Sequence, residues 1–351
     1  MEFEIGNVKF GQQKTIVIAE AGVNHLGRMD YAERLISGAA KAGADIIKFQ
    51  TYKASKLTTK NAPRFWNWEG EKEVNGSQYS SYAALDSFGK DEYRELKSLC
   101  DSYKIEFLST PFDLESVEML YEIGVKGYKI ASCDINNLPL LEAVASKKLP
   151  ILLSTGASNI IEIGNALNVI RNISDVPVLI MHCTLCYPTK PADANLFALN
   201  DIRRNFPNNL LGLSDHTLGT LVSSASTLLG VKAIEKHYTF DKDLPLSADH
   251  WLSLDTKELA ELVENLRVLE ESKGSGVKEL LSCERLAHQN ARRSIVAASK
   301  IPKGKKIEIS DLIMKRPGTG LPAESIPLVL DRKSARDIDY DEILKIEDLS
   351  D

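Results

Sequence analysis

The sequence is short of cysteine, of long apolar runs and of any strong excess of charge. Five cysteines (Cys100, Cys133, Cys183, Cys186 and Cys283) in 351 residues are too sparse and odd in number to frame disulfides, so free thiols and a reducing cytoplasm are expected. No stretch reaches the about 18 consecutive apolar residues of a membrane span. The charged start, Met1 to Gly11, lacks the apolar core of a secretory signal. A soluble protein without a membrane partner follows. Lys and Arg number 43 against 49 Asp and Glu, a net charge of −6, and no dense basic block offers a hold for phosphate backbones, so nucleic acid is not expected as a partner. With 43% hydrophobic and 26% charged residues, the composition is that of a globular chain able to bury a full core.

From residue 15 to about 272, short β-rich runs ending in polar or Gly residues alternate with amphipathic helical stretches. The runs are Thr15–Gly22, Asp45–Thr51, Ile105–Phe112, Gly127–Cys133, Pro150–Gly156, Val178–Thr184, Leu210–Thr217 and Ala233–Phe240. Eight such units in about 260 residues fit a (β/α)8 TIM barrel better than an open doubly wound sheet. We expect an α/β catalytic barrel over 1–272, a linker over 273–291 opening on SKGSGVKE, and a small, mostly β domain over 292–351. The long segment Tyr52–Lys90 carries two of the three tryptophans and lies between the second strand and its helix, on the C-terminal face of the barrel. It reads equally as a lid or as a subunit-contact excursion.

Alternate strand residues share a face. Ile16, Ile18 and Glu20 fall together, as do Ile46, Lys48 and Gln50; Leu210, Gly212, Ser214 and His216; and Ala233, Glu235 and His237. Each set runs from apolar or small residues to polar or ionisable ones, the gradient expected of an apolar plug beneath a polar pocket at the C-terminal rim. Any single Lys or His of this kind could be a paired core residue. Several converging on one rim call for a shared anion or metal, because unpaired buried charge is costly. His216 and His237 close strands about 5 Å apart. They could flank one ion, for which imidazole with carboxylate or water suits Mn, Fe, Co or Zn, or one could be a metal-free general acid or base. Lys48, Lys129, Thr110, Ser132, Ser154 and Ser214 supply cations and hydroxyls suited to a phosphate and a carboxylate held together. The lone Cys183-Thr-Leu-Cys186 has neither a second pair nor a thioredoxin context.

At these residues the chain resembles the sialic acid synthase family, phosphoenolpyruvate-dependent synthases of N-acetylneuraminic and related nonulosonic acids. The matching segments are IAEAGVNHLG, IIKFQT, FLSTPFD, YKIASCDINNLPLL, ILLSTG, MHCTLCYP, GLSDHT, EKHYT and, in the tail, KRPGTG. They span nearly the whole chain in family order. The resemblance implies a barrel that holds phosphoenolpyruvate and a divalent metal, usually Mn2+, and an antifreeze-like (SAF) tail that lends an arginine to the neighbouring subunit in a domain-swapped homodimer. It assigns Lys48, Thr110, Lys129, Ser132, Ser154, Tyr187 and Ser214 to phosphoenolpyruvate and His216 and His237 to the metal. It assigns Glu20, Gln50, Asp134 and Asp249 to the sugar and the attacking water, and Arg316 to the reaching arginine. Three places depart from the pattern: Leu185 stands where bacterial sialic acid enzymes often carry Asn, Asp134 where Glu is frequent, and SADHWLSLD replaces a different stretch.

The implied reaction joins C3 of phosphoenolpyruvate to the aldehyde of an N-acyl hexosamine such as N-acetylmannosamine. Glu20, Lys48 and Lys129 form its catalytic core, with Glu20 or a metal-bound water activating the nucleophile. A diacetamido-trideoxyhexose leading to legionaminic or pseudaminic acid is the alternative acceptor. Two readings from other classes stay open: a non-catalytic barrel, and an aldolase in which Lys48 or Lys129 forms a Schiff base.

Overall fold

The computed structural model describes residues 2–66, 76–247 and 249–351. The chain divides into two compact units, Met1–Gly274 and Ser275–Asp351.

The first unit opens with a hairpin, β1 (Phe3–Ile5) and β2 (Val8–Phe10), turned by Gly6 at φ 58° and Asn7. Eight parallel strands follow: β3 (Ile16–Gly22), β4 (Ile46–Thr51), β5 (Glu106–Pro111), β6 (Tyr128–Ile130), β7 (Ile151–Ser154), β8 (Val178–Cys183), β9 (Leu210–Asp215) and β10 (Ala233–His237). Their order is β5-β4-β3-β10-β9-β8-β7-β6, and β5 packs against β6, which nearly closes the TIM-like barrel. The strands begin and end within about one to three residues of the expected runs. The fourth and eighth end earliest, three residues short of the expected runs, and after the fourth Ser132–Asp134 forms a 3₁₀ turn.

The helices outside the barrel form for local reasons. Met29–Ala42 buries Ala32, Leu35, Ile36 and Ala39 on one stripe and ends at Gly43, whose φ of 86° suits a residue without a side chain. Ile160–Ile173 starts at Asn159, whose side chain accepts from the amides of Ile161 and Glu162. No helix among the described residues is long and apolar enough to cross a membrane.

Two apolar layers result. Outward strand residues and the helices make the larger core. Inside, Ile16, Ile18, Ile46, Leu108, Leu152, Leu179, Met181 and Ala233 fill the lower barrel, and Phe3, Ile5 and Phe10 of the hairpin join the same cluster. Phe3 stacks on Phe10 with centroids 4.7 Å apart. The hairpin therefore acts as the barrel's stopper, and the polar strand ends lie at the opposite, C-terminal end.

Of the long second connection, the described parts include helices Ala54–Leu57 and Gln78–Ala83 and a bridge between Pro63 and Ser77. Trp68 lies outside the described residues. The second unit carries two small antiparallel sheets, β11 (Ser294–Ala297) with β12 (Leu312–Lys315) and β13 (Lys333–Ser334) with β14 (Leu349–Ser350). They surround Ile295, Ala297, Ile301, Ile307, Val329, Ile338 and Leu344. Within the stretch expected as linker, Arg285–Ala291 is helical, and the domain expected as mostly β also holds the short helix Ile326–Leu330.

Candidate active site

Strand pairing brings the expected rim residues to one level. Glu20 lies beside Lys48 in the β3–β4 register and beside His237 in the β3–β10 register, Gln50 beside Thr110, and Ser214 beside Glu235. Their inward face continues the apolar plug, so each buried polar side chain needs a partner at the same level, on a neighbouring strand or, for Lys129 and Glu235, across the barrel.

The centre is a buried network of two lysines and two glutamates. Lys48 Nζ is 2.7 Å from Glu20 Oε2 and 3.9 Å from Glu235 Oε1, and it donates to Thr110 Oγ1 at 3.0 Å. Lys129 Nζ donates to Glu235 Oε1 at 3.3 Å, and Ser214 Oγ donates to the same oxygen at 3.1 Å. Gln50 Nε2 donates to Glu20 Oε1 at 3.0 Å. Lys48, Lys129, Glu20 and Glu235 are each at most 5% exposed. Burial opposes their charge, yet the two lysines hold the Glu235 carboxyl down at about 2. For Lys48, too, burial is outweighed by Glu20 and Glu235, and its pKa is raised. The network is under-filled. Ser154 Oγ and Glu235 Oε2 are buried without a hydrogen-bond partner, and Glu20 Oε2 meets Lys48 only as an ion pair.

Glu235 is the site residue that sequence reasoning passed over. It shares a face with His237 and so was visible in the strand period, but no family assignment drew attention to it. In the structure it anchors Lys129, Lys48 and Ser214.

The two histidines stand beside this network with ring centroids 5.2 Å apart, and Tyr187 packs on both, at 4.2 Å from His216 and 5.8 Å from His237. His216 Nδ1 lies 2.9 Å from the carbonyl oxygen of Thr184, which accepts only, so we assign the proton to Nδ1 and the lone pair to Nε2. His237 Nδ1 is buried with no hydrogen bond, 3.4 Å from Asp249 Oδ2. Burial disfavours the imidazolium, but Asp249 and Glu20 prevail and raise the pKa of His237. No group of three or more His, Cys, Asp or Glu placed to hold a metal occurs among the described residues. The orphaned His237 nitrogen and the free His216 nitrogen nonetheless fit an ion held by two imidazoles, with its remaining positions open to water or substrate.

Gly22 borders the group: its φ of 53° is a left-handed conformation that glycine adopts freely, and a Cβ there would make ordinary contact with Glu20 Oε1 at 3.4 Å, Gln50 Nε2 at 3.5 Å and Asp249 Oδ2 at 3.7 Å. Ser132 Oγ accepts from the Gly156 amide at 2.9 Å. Asp134 faces its own turn, accepting from Asn137 Nδ2 at 2.9 Å, and burial raises its pKa. Arg316 is exposed at the end of β12 in the other unit.

Above the network a cleft of about 820 Å³, open mouth included, has Gln50, His237, Asp249 and Tyr187 at its base and Phe65, Trp66, Tyr82, Leu85, Leu246 and Trp251 along its walls. On the outer side of β9 and β10 a second ion pair is buried. Asp215 accepts from Lys236 Nζ at 2.9 Å, from the Thr217 amide at 2.8 Å, from Thr217 Oγ1 at 3.0 Å and from Ser223 Oγ, and Lys236 also donates to the Thr217 carbonyl. Burial pushes both groups toward neutrality; the four donors on Asp215 outweigh it there and hold that carboxyl below its usual range. With its carboxylate so held, we take the pair as ionised.

Residues 35–278 match the NeuB family and residues 292–350 the SAF domain. The chain belongs to the NeuB family, and it is an enzyme of that synthase kind with a SAF domain at its C-terminal end. It is 40% identical over 324 residues to the N,N'-diacetyllegionaminic acid synthase of Legionella pneumophila, covering 91% of this chain and 90% of that protein. It is 33% identical over 337 residues to the human N-acetylneuraminate-9-phosphate synthase, covering 95% and 92%. Among solved structures, the N-acetylneuraminic acid synthetase of Leptospira borgpetersenii superposes with a TM-score of 0.72 at 35% identity, covering 82% of this chain and 95% of that one.

Proposed function

We propose that the protein condenses phosphoenolpyruvate with the open-chain form of an N-acyl hexosamine, giving a nonulosonic acid and phosphate. The observation that carries this reading is the pair of buried lysines with Thr110, Ser214 and the unpartnered Ser154 hydroxyl near them, lying beside two imidazoles at one barrel rim. A ligand bearing both a phosphate and a carboxylate would meet two cations and spare hydroxyls there. In the reaction, C3 of phosphoenolpyruvate bonds to the aldehyde carbon, whose oxygen takes a proton. Water adds at C2, and the bond from C2 to the phosphate oxygen breaks to release phosphate.

Lys48 and Lys129 neutralise the donor and hold its C3 toward the aldehyde, an orientation effect. Glu20, fixed by Gln50 and Lys48, holds the water that attacks C2 and takes its proton. Ser132, Ser154, Ser214, Thr110 and Tyr187 complete the donor site, Gln50, Asp134 and Asp249 serve the acceptor, and Glu235 keeps both lysines aimed inward. His216 and His237 would hold a divalent ion, Mn2+ by resemblance, which when bound polarises an aldehyde oxygen. Arg316, offered by a neighbouring subunit in a crossed homodimer, would close over the sugar.

The test is phosphate release from phosphoenolpyruvate with Mn2+ and a panel of N-acyl hexosamines, followed by product mass. Release that depends on both acceptor and metal is the expected result. Borohydride trapping of a lysine adduct would instead support the aldolase reading.

A further inference from the structure

We propose that Tyr82 is a specificity-determining residue for the acceptor, its hydroxyl donating to the carbonyl oxygen of the acyl group on the sugar's C2. The inference rests on the synthase reading above and concerns a residue that neither the strand pattern nor the family resemblance singles out.

Tyr82 lines the cleft from the short helix Gln78–Ala83, within the long second connection of the barrel. That helix is pinned from several sides. Ser77 and Ser80 close a capping box at its start. Gln78 Nε2 donates to the Pro63 carbonyl at 2.7 Å, Arg64 Nε donates to Ser81 Oγ at 2.8 Å, and the Tyr82 carbonyl accepts from the Leu85 amide at 3.0 Å. The Tyr82 ring packs against Tyr52 and Trp66, with centroids 5.5 and 5.7 Å away. The side chain is therefore held in place before a ligand arrives, which lowers the ordering cost of selective binding.

The hydroxyl contributes nothing to this packing. It has no hydrogen bond among the described residues; those of Tyr82 run through its backbone. A phenylalanine would make the same ring contacts without partly desolvating an unpaired phenol. Burial, with Cys133 and Asp249 nearby, raises the pKa of the hydroxyl, so it keeps its proton and can donate. Both neighbours belong to the acceptor's end of the cleft: Cys133 adjoins Asp134, and Asp249 stands at the base. An acyl carbonyl has no proton of its own and, once buried, needs a donor. Two other donors of the lining are engaged, Gln50 Nε2 with Glu20 Oε1 and Ser247 Oγ with Asn24 Oδ1. The Asp249 carboxylate complements sugar hydroxyls, which bring hydrogens, and the phenol complements the carbonyl.

The experiment compares the full chain with Tyr82→Phe by phosphate release in phosphoenolpyruvate and Mn2+. The acceptors are N-acetylmannosamine, 2,4-diacetamido-2,4,6-trideoxymannose and, for each, the analogue in which sulfur, a weak hydrogen-bond acceptor, replaces the carbonyl oxygen of the C2 acyl group. For whichever parent sugar turns over, the substitution should lower kcat/KM by about tenfold, the scale of one hydrogen bond, chiefly through the KM of the sugar. The KM for phosphoenolpyruvate and the urea midpoint should hold. In the unaltered chain, sulfur for oxygen should cost a similar factor, and in Y82F it should cost almost nothing further. An unchanged sugar KM in Y82F, an equal rise in the KM for phosphoenolpyruvate, or the same loss from sulfur in both chains overturns this inference and leaves the synthase reading standing. Release with neither parent sugar overturns the synthase reading and the inference with it.

Discussion

Two buried ion pairs stand back to back on β9 and β10, and they differ in how completely they are satisfied. On the outer face Asp215 receives four donors and Lys236 closes onto the Thr217 carbonyl. On the inner face, one residue away along each strand, Glu235 shares a single oxygen among Lys129, Lys48 and Ser214 while its other oxygen has no hydrogen bond. Burial is nearly equal on both sides. We propose that the difference is one of purpose: the saturated pair locks the strand ends that carry His216 and His237, whereas on the inner side Lys129 Nζ, which donates to Glu235 Oε1, has further N–H donors to offer an anion.

The largest effect should come from breaking the outer pair. Lys236→Met leaves Asp215 charged and buried, and we expect a loss of about 3–5 kcal/mol in folding stability by urea titration. Lys129→Met, on the inner side, should cost clearly less, because Glu235 keeps Lys48 and Ser214. Equal losses from the two would erase the distinction drawn here.

Next in size is the loss of an imidazole. His237→Ala should lower kcat/KM by more than about 3 kcal/mol in transition-state terms, the scale of one removed electrostatic stabiliser, with little change in urea midpoint. EDTA should produce the same inactivity in the unaltered protein, and Mn2+ or Co2+ should reverse it. Full activity in chelator would remove the metal from the reading.

A third experiment asks whether the inner pair does take up an anion. Phosphoenolpyruvate at about 100 times its Kd should stabilise the protein by about 2.7 kcal/mol through mass action, seen as a rise in Tm. Lys129→Ala should abolish most of that rise at the same ligand concentration. Arg316→Ala should preserve it and weaken the sugar instead. The reverse pattern would undo both assignments.

Much of this contrast was legible in the chain before folding, because a strand has a period of two. Glu20, Lys48, Gln50, Ser214 and His237 could be placed on one inner face from parity alone. Parity fails where the strand ends: Asp134 follows a break at Ile130, sits on a 3₁₀ turn and bonds to Asn137. The stopper hairpin went unseen because three-residue strands carry no period, although Gly6-Asn7 is a turn signature. The cleft walls were beyond reach for another reason. Leu85 and Leu246 come from loops separated by more than a hundred residues, and only tertiary packing sets them on one surface.

The smallest expected signal, and the most specific, tests whether the tail completes a neighbour's barrel. Among the described residues the barrel's inner network holds lysines and no arginine, whereas Arg316 is exposed on a separate unit. The connecting stretch includes the helix Arg285–Ala291, which rises about 1.5 Å per residue against about 3.3 Å for extended chain. Its reach is therefore shorter than a fully extended linker would have, and a crossed assembly needs the subunits packed closely. An Arg316→Ala subunit keeps its own Lys48 but offers no arginine; a Lys48→Ala subunit offers the arginine but has a dead barrel. Alone, each homodimer should be nearly inactive. Mixed in equal amounts and allowed to exchange, half the dimers are mixed and each holds one complete site, so a crossed pair should recover about a quarter of the wild-type rate. If heterodimers form, as native mass spectrometry would show, and the mixture stays inactive, each tail serves its own barrel and Arg316 acts within one chain.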